Sequence, residues 1–247
     1  MVSSAKAKAR PPHSACTGAP VEMVCEGGEL AFVGRMLAES LILRDRVQWY
    51  TSMFGKASSM EVFVKRLRQN DIDNYAVTEF IQGNKTRRWA VGWSFGAMRP
   101  SQDAARGMKA STCKKLLPPV AEVDLHTSSS HQGVGPLANR IAQVVGALEL
   151  VSWEWEPERL RGIGRARENV WSRAWRRRKK LRENTSLLAK EVDRRDTETC
   201  VFGFLVAIHV GRTDAITRVR WVEGHDEGLF ESFSGFLKRC LKTEDEQ

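Results

Sequence analysis

The stretch Ala76–Phe95, AVTEFIQGNKTRRWAVGWSF, decides how the rest of the chain is read. Two runs alternate with the period of a strand around the turn Gly83-Asn84-Lys85-Thr86. Tyr75, Val77, Glu79 and Ile81 share one face of the first run, and Trp89, Val91, Trp93 and Phe95 share one face of the second. Gly83 and Asn84 tolerate positive φ, so the chain reverses there. Lys85, Arg87 and Arg88 fall at or just after the tip. A rigid hairpin that carries cations suits a phosphate backbone; the same residues also suit an ordinary solvated turn.

Outward from the hairpin, the preceding residues alternate helix and strand. Leu30, Val33, Met36, Leu37 and Leu41 recur at spacings of three and four and predict a helix. Arg46–Phe54 reads as a buried strand. Ser58 and Glu61 form a capping-box pattern for a second helix, with Phe63 and Leu67 on its buried face, ending near Asn70-Asp71. Helices alternating with strands and closed by a hairpin imply an α/β layer structure. Upstream, Lys6, Lys8 and Arg10 alternate with small residues before Pro11-Pro12, the pattern of a solvated basic arm. Glu26 and Glu29 flank Gly27-Gly28, where the backbone can approach a neighbour closely. Glu29 also suits the first turn of a helix, where the dipole favours a carboxylate.

Downstream, 100–117 lacks periodicity and reads as a linker. Pro118–Leu125 is a candidate strand, Thr127–Gln132 a loop, and Gly135-Pro136 the start of a helix striped by Leu137, Ile141, Val144, Val145 and Leu148. Val151–Trp155 is a short strand. The basic stretch 165–190 reads as a helix bearing Arg176, Arg177, Arg178 and Lys179, with Trp171 and Trp175 one turn apart. Aromatics among guanidinium groups suit base stacking and phosphate neutralisation. A nuclear targeting signal, or two core tryptophans on a helix with a solvated far side, are equally open. Thr199–Gly211 and Ala215–Glu223 alternate as two strands, and a final helix carries Leu229, Phe230, Phe233, Phe236, Leu237 and Leu241.

The 247 residues suffice for one large domain or two modest ones. A formal net charge of +9 suits an anionic partner, either nucleic acid or an acidic membrane. The 5 cysteines are widely spaced and form no CxxC, and the histidines show no ligand spacing, so neither a disulfide framework nor a metal site is expected. Met1–Arg10 has no apolar core of a secretory signal, and the longest apolar run, Val201–Val210, is far short of the roughly 20 residues of a membrane helix. No membrane partner is expected.

The residues Thr78-Glu79, Gln82-Gly83, Lys85, Arg88 and Trp93-x-Phe95 resemble the closing hairpin of the adenine-N6 RNA methyltransferases, which include U6 small nuclear RNA and 23S ribosomal RNA enzymes. Segments upstream, from the basic arm through Glu26–Glu29 and around Gln48–Met53, are similar to the same family. The resemblance implies that 1–99 is the C-terminal portion of a Rossmann-type methyltransferase domain that uses S-adenosyl-L-methionine. RVRWVEGHDEGLFESF and the basic run before it resemble, more weakly, the family's vertebrate-conserved-region domain. So 118–247 is expected to form a small α+β domain with helices on one sheet face. The family's Asn-Pro-Pro-Phe motif and glycine-rich cofactor turn do not occur in this sequence. The expectation is therefore a chain that begins after the catalytic motif, a truncated gene product, with no catalytic or cofactor-binding residue of its own. It is not expected to bind S-adenosyl-L-methionine alone. Its expected role is to hold structured, U6-like RNA through Lys6, Lys8, Arg10, Lys85, Arg88, Arg176, Arg177, Arg178 and Lys179. Glu26, Gly27, Gly28 and Glu29 would form the wall of the substrate pocket. The expected compartment is the nucleus, with the cytoplasm second. The alternative is a non-catalytic basic RNA-binding protein.

Overall fold

Gly27 and Gly28 both take left-handed φ, 75° and 70°, a conformation that glycine adopts without penalty. They turn the chain into helix α1 (Gly28–Leu43), whose apolar stripe buries Val33 and Leu37. The structure is a computed structural model and describes residues 24–83, 86–108, 115–129, 133–185 and 200–242. A 3-10 turn at Arg44–Arg46 leads to strand β1 (Tyr50–Phe54). That strand is shorter and more exposed than the buried run expected: Tyr50 and Phe54 point inward, while Met53 is 58% exposed. Alternation across a single-sided sheet accounts for the difference.

Helix α2 (Ala57–Gln69) buries Met60, Phe63, Val64 and Leu67. Its N-cap is Lys56 with no side-chain cap, so the Ser58–Glu61 capping box does not form; Ser58 lies inside the first turn. Strands β2 (Tyr75–Gln82) and β3 (Thr86–Trp93) make the hairpin, with Tyr75 opposite Trp93, Val77 opposite Val91 and Glu79 opposite Trp89. The inward residues are those that the alternation selected. The stretch read as a linker contributes to the fold instead. It contains the short helix α3 (Gln102–Ala105) and strand β4 (Arg106–Gly107), which runs parallel to β2. Met108 and Leu116 are buried in the first core. These segments are too short to show a period, so the sequence pattern could not reveal them. The first sheet has the order β1-β3-β2-β4.

Its core is centred on Trp93, which is fully buried. The ring stacks on Tyr50 at 5.6 Å and meets Phe63 edge-on at 5.1 Å. Its indole Nε1 donates to Ser40 Oγ at 3.0 Å, and Ser40 in turn donates to the Leu37 carbonyl. A buried indole N–H left unpaired would cost about 1–3 kcal/mol, so the small polar Ser40 in the apolar stripe of α1 has a structural reason.

The second sheet begins with β5 (Glu122–Ser129), followed by helix α4 (Val134–Gly146), then β6 (Ser152–Glu156) and β7 (Arg161–Ala166). Helix α5 (Arg173–Thr185), β8 (Phe202–Val210), β9 (Asp214–Glu223) and helix α6 (Glu227–Leu241) complete it. The strand order is β5-β9-β8-β7-β6, antiparallel throughout. Two expectations are corrected. Strand β5 runs on through Ser129, where a loop was read. The basic helix starts at Arg173 rather than at 165, because Arg161–Ala166 is a strand.

Glycines hid that strand. Gly162 and Gly164 give RGIGRA a low strand propensity, but each lies beneath an aromatic ring. A Cβ on Gly162 would collide with Trp153 and Trp155, and one on Gly164 with the Phe204 ring. Trp153, Trp155, Phe202 and Phe204 thus form a continuous stacked array over the glycines, with Phe233 tilted against Phe204. Helices α4 and α6 close this core with Ile141, Val145, Phe230, Leu237 and Leu241.

The two sheets are joined at Arg99. Its side chain is 4% exposed. It pairs with Asp73 of the first unit, donates from Nε to the Gly224 carbonyl at 2.8 Å, and lies 3.5 Å above the Trp221 ring of the second. Backbone bonds run from Arg99 to Val222 and from Gly224 to Ala97, both 2.9 Å, beside an isolated bridge between Met98 and Glu223. Asn74 donates to the carbonyls of Gly96 and Met98 and holds the crossing segment from the other side. Burial lowers the Arg99 pKa and Asp73 opposes that shift, so the guanidinium stays charged.

Two substitutions test this architecture. Arg99→Ala is expected to destabilise the protein by about 2–4 kcal/mol, since it strands a partly buried carboxylate and a carbonyl. A urea midpoint indistinguishable from wild type would show that the junction does not depend on it. Gly164→Ala should cost about 1–3 kcal/mol through overpacking against Phe204; calorimetric melting checks this, and an unchanged midpoint refutes the glycine–aromatic account.

Candidate functional site

At the hairpin, alternation separates the cations that the sequence places together. Arg87 turns toward the core side and pairs with Glu79 at 2.9 Å, the carboxylate side chain being 3% exposed. Arg88 projects from the opposite face, directly across from Phe80, which is 51% exposed. An outward arginine beside an outward phenylalanine offers a charge for a phosphate and a ring for a base. Sequence reading passed over Phe80, yet its place out of phase with Val77 was the available signal. Gly83 has φ 60°, as a tight reversal requires. Lys85 lies outside the described residues, as do Lys6, Lys8 and Arg10.

The same outer face continues as a shallow groove of about 270 Å³ lined by Trp49, Thr51, Ala76, Thr78, Ala90 and Gly92 and closed by Pro100 and Ala104. Helices α1 and α2 cover the opposite face only. The outer edge of β1 has no strand partner among the described residues.

The Glu26–Glu29 turn lies at the start of α1. Glu26 is exposed, Gly28 N donates to the Cys25 carbonyl at 2.9 Å, and a Cβ on Gly27 would press on Ala31 at 2.7 Å. Glu29 reaches across to accept from Gly55 N at 2.6 Å, tying α1 to the end of β1. This carboxylate holds a loop at the sheet's margin and also sits favourably in the first turn of the helix. Its Oε1 is buried without a partner among the described residues.

The basic helix is resolved into two kinds of residue. Trp171 precedes α5, is 3% exposed and donates to Ser232 Oγ at 3.0 Å, while its ring packs tilted against Phe202 and edge-on against Phe233. Trp175 donates to Glu168 at 3.1 Å and packs against the second core. Neither tryptophan is a free stacking platform; both are anchors of the helix. Arg178 pairs with Glu168 at 2.7 Å, and Lys179 pairs with Glu149 and lies 5.5 Å from the Trp175 ring. Arg176 and Arg177 are exposed and make no ion pair among the described residues. The open face of the second sheet is basic only in composition. Arg161 pairs with Glu156, Arg165 with Glu223, Arg218 with Asp124 and Arg220 with Glu122. The hydrogen bond from Arg218 holds the Asp124 carboxyl below its ordinary range.

Gly162 and Gly164 lie within strand β7 and form no cofactor turn. No group of three or more His, Cys, Asp or Glu among the described residues could hold a metal ion, and no described helix is long and apolar enough to cross a membrane.

Residues 2–97 match a family model described as RNA methyltransferase. Similarity to the family's adenine-modifying members runs further. The U6 small nuclear RNA (adenine-(43)-N(6))-methyltransferase of Schizosaccharomyces pombe is 32% identical over 241 residues, covering 95% of this chain and 55% of the relative. RNA N(6)-adenosine-methyltransferase mettl16 of Danio rerio is 28% identical, covering 97% of this chain and 58% of the relative. The chain thus spans little more than half the length of these relatives. Among solved structures, the hMettl16 catalytic domain in complex with a MAT2A 3′UTR hairpin is 43% identical over 37% of this chain and 32% of that one, with a TM-score of 0.34.

Glu29→Gln keeps the shape of the α1–β1 tie and removes its charge. The expected loss is about 1 kcal/mol, from a weaker bond to Gly55 N and a lost helix-dipole term. Chemical denaturation measures it, and no change would mean that Glu29 does not hold this loop.

Proposed function

We propose that this chain is the RNA-holding part of an adenine-N6 RNA methyltransferase of the U6 small nuclear RNA type. In the complete activity, a methyl group passes from S-adenosyl-L-methionine to the amino nitrogen of an adenine in structured RNA. The observation that carries the reading is similarity to two such enzymes along nearly the whole chain. The hairpin supports it physically: Arg88 and Phe80 stand together on an exposed face, and Lys85 precedes Arg88 by three positions in the sequence. Lys6, Lys8 and Arg10 extend this reading to the basic arm, and Arg176 and Arg177 to α5, with Arg178 and Lys179 committed mainly to holding the helix.

The first sheet is, on this proposal, the C-terminal part of a Rossmann-type methyltransferase sheet. Its β1 edge, unpaired among the described residues, and its apolar outer groove are the surfaces such a sheet would use to continue. The second unit corresponds to the vertebrate-conserved-region domain and adds affinity for RNA. Glu26, Gly27, Gly28 and Glu29 would then buttress the substrate pocket from behind rather than act on the adenine. Within these 247 residues there is no Asn-Pro-Pro-Phe to grip the amino group of a flipped base, so the chain alone binds RNA but neither cofactor nor methyl acceptor productively. The nucleus is the compartment in which a U6-type substrate is met.

Fluorescence anisotropy with a labelled U6 stem-loop RNA tests the reading. Affinity should fall steeply with salt, and the double substitution Lys85→Ala, Arg88→Ala should lower the log–log salt slope by about 1.5, the loss expected for two phosphate contacts. Calorimetry with S-adenosyl-L-methionine should show no binding. RNA affinity that is absent, or that is indifferent to salt, would overturn the proposal.

A further inference from the structure

A cleft of about 450 Å³ opens where the two units meet, lined by Arg44, Arg68, Asp71, Ile72, Asp73, Ser94, Phe95 and His225. Three non-glycine residues among those described have positive φ, and two of them, Arg44 at 45° and Asp71 at 56°, line this cleft. Backbone held in such conformations costs energy and persists only where its surroundings impose it. Here they do. Arg44 N donates to the Ser40 carbonyl, and the Arg44 carbonyl accepts from the Tyr50 hydroxyl at 2.9 Å. The constraint aims a cation: the Arg44 guanidinium lies 4.8 Å from the centre of the Phe95 ring and has no hydrogen-bond or ion-pair partner among the described residues. The Asp71 carboxylate likewise has none.

The other charged groups are already committed. Arg68 serves the Tyr75 hydroxyl and the carbonyls of Lys115 and Leu117. Asp73 is held by Arg99 and by His225 Nδ1 at 2.8 Å. What the cleft offers a ligand is therefore one free guanidinium, one free carboxylate and an apolar wall of Ile72 and Phe95. A polyphosphate is disfavoured by two carboxylates. One phosphodiester charge with hydroxyl donors attached fits both free groups, and the volume lies within the range of small-ligand pockets.

We propose that this cleft holds one ribonucleotide, with the phosphate on Arg44 and a ribose hydroxyl or exocyclic amine donating to Asp71. Its source is a nucleotide of the bound RNA strand, an assignment that rests on the function proposed above. The site is separate from the hairpin tip: Tyr75 and Gln82 are opposite ends of β2, seven residues apart, about 23 Å along a strand. RNA contacting both ends would run the length of the hairpin.

The test uses the 247-residue chain in two arms. In the first, millimolar AMP and 2′-deoxy-AMP are titrated while the resonances of Ile72 and His225 are followed by NMR. AMP should shift both, the deoxynucleotide less, and Asp71→Asn, a residue that tolerates left-handed backbone, should erase the difference. In the second arm, Arg44→Gly is compared with wild type for binding the U6 stem-loop. Glycine accepts the strained backbone, so the melting temperature should hold or rise while RNA affinity falls about tenfold, the scale of one charge-assisted contact. Unmoved Ile72 and His225 resonances overturn the site. Shifts with AMP but unaltered RNA affinity in Arg44→Gly overturn its assignment to the RNA strand and leave a free-nucleotide site. Wild-type protein that binds no RNA removes the proposed function, while the AMP arm still decides the cleft.

Discussion

A single buried cation sets the geometry of this molecule. Arg99 carries its charge into a site with 4% of its side chain exposed, where an unpaired guanidinium would cost several kcal/mol. The charge is tolerated because each unit supplies part of its coordination: Asp73 from the first, the Gly224 carbonyl and the Trp221 face from the second. Neither unit alone offers all three. The close approach also depends on Gly224, whose φ of 111° and contact with the Val201 backbone exclude a side chain. The relative placement of the two sheets, and with it the cleft between them, follows from satisfying one charge.

Around that junction the molecule divides its cations into two groups. Several arginines are spent internally: on Glu79, Glu156, Glu223, Asp124 and Glu168. These pairs are largely exposed and contribute little to stability. They do cancel the positive field over the open face of the second sheet. A net charge of +9 therefore overstates the surface available to a polyanion. The arginines named above that make no ion pair among the described residues, Arg44, Arg88, Arg176 and Arg177, mark where an anion would find donors without displacing a carboxylate.

Much of the fold was legible because it follows local periods. The hairpin faces, the stripe of α1 and the buried side of α6 read directly from spacings of two or of three and four. What stayed hidden lacked a period or contradicted a propensity. Strand β7 is built from glycines and arginines, and only the tryptophan and phenylalanine rings of its neighbours explain why glycine is required there. Helix α3 and strand β4 are too brief to be recognised. Whether Trp171 and Trp175 stack on bases or belong to the core stayed open in the sequence, because spacing shows which residues share a face but not what covers it; Ser232, Phe202 and Phe233 cover the first.

By itself, the sequence determined the hairpin, the amphipathic elements, the excess of positive charge and the similarity of the first hundred residues to RNA methyltransferases. Only the tertiary structure decided which charges remain free, and where. Asp73 lies 26 positions from Arg99, Glu223 is 58 from Arg165, and Asp124 is 94 from Arg218. A side chain's charge is written in its own residue type, whereas its compensation depends on partners that folding brings from far along the chain.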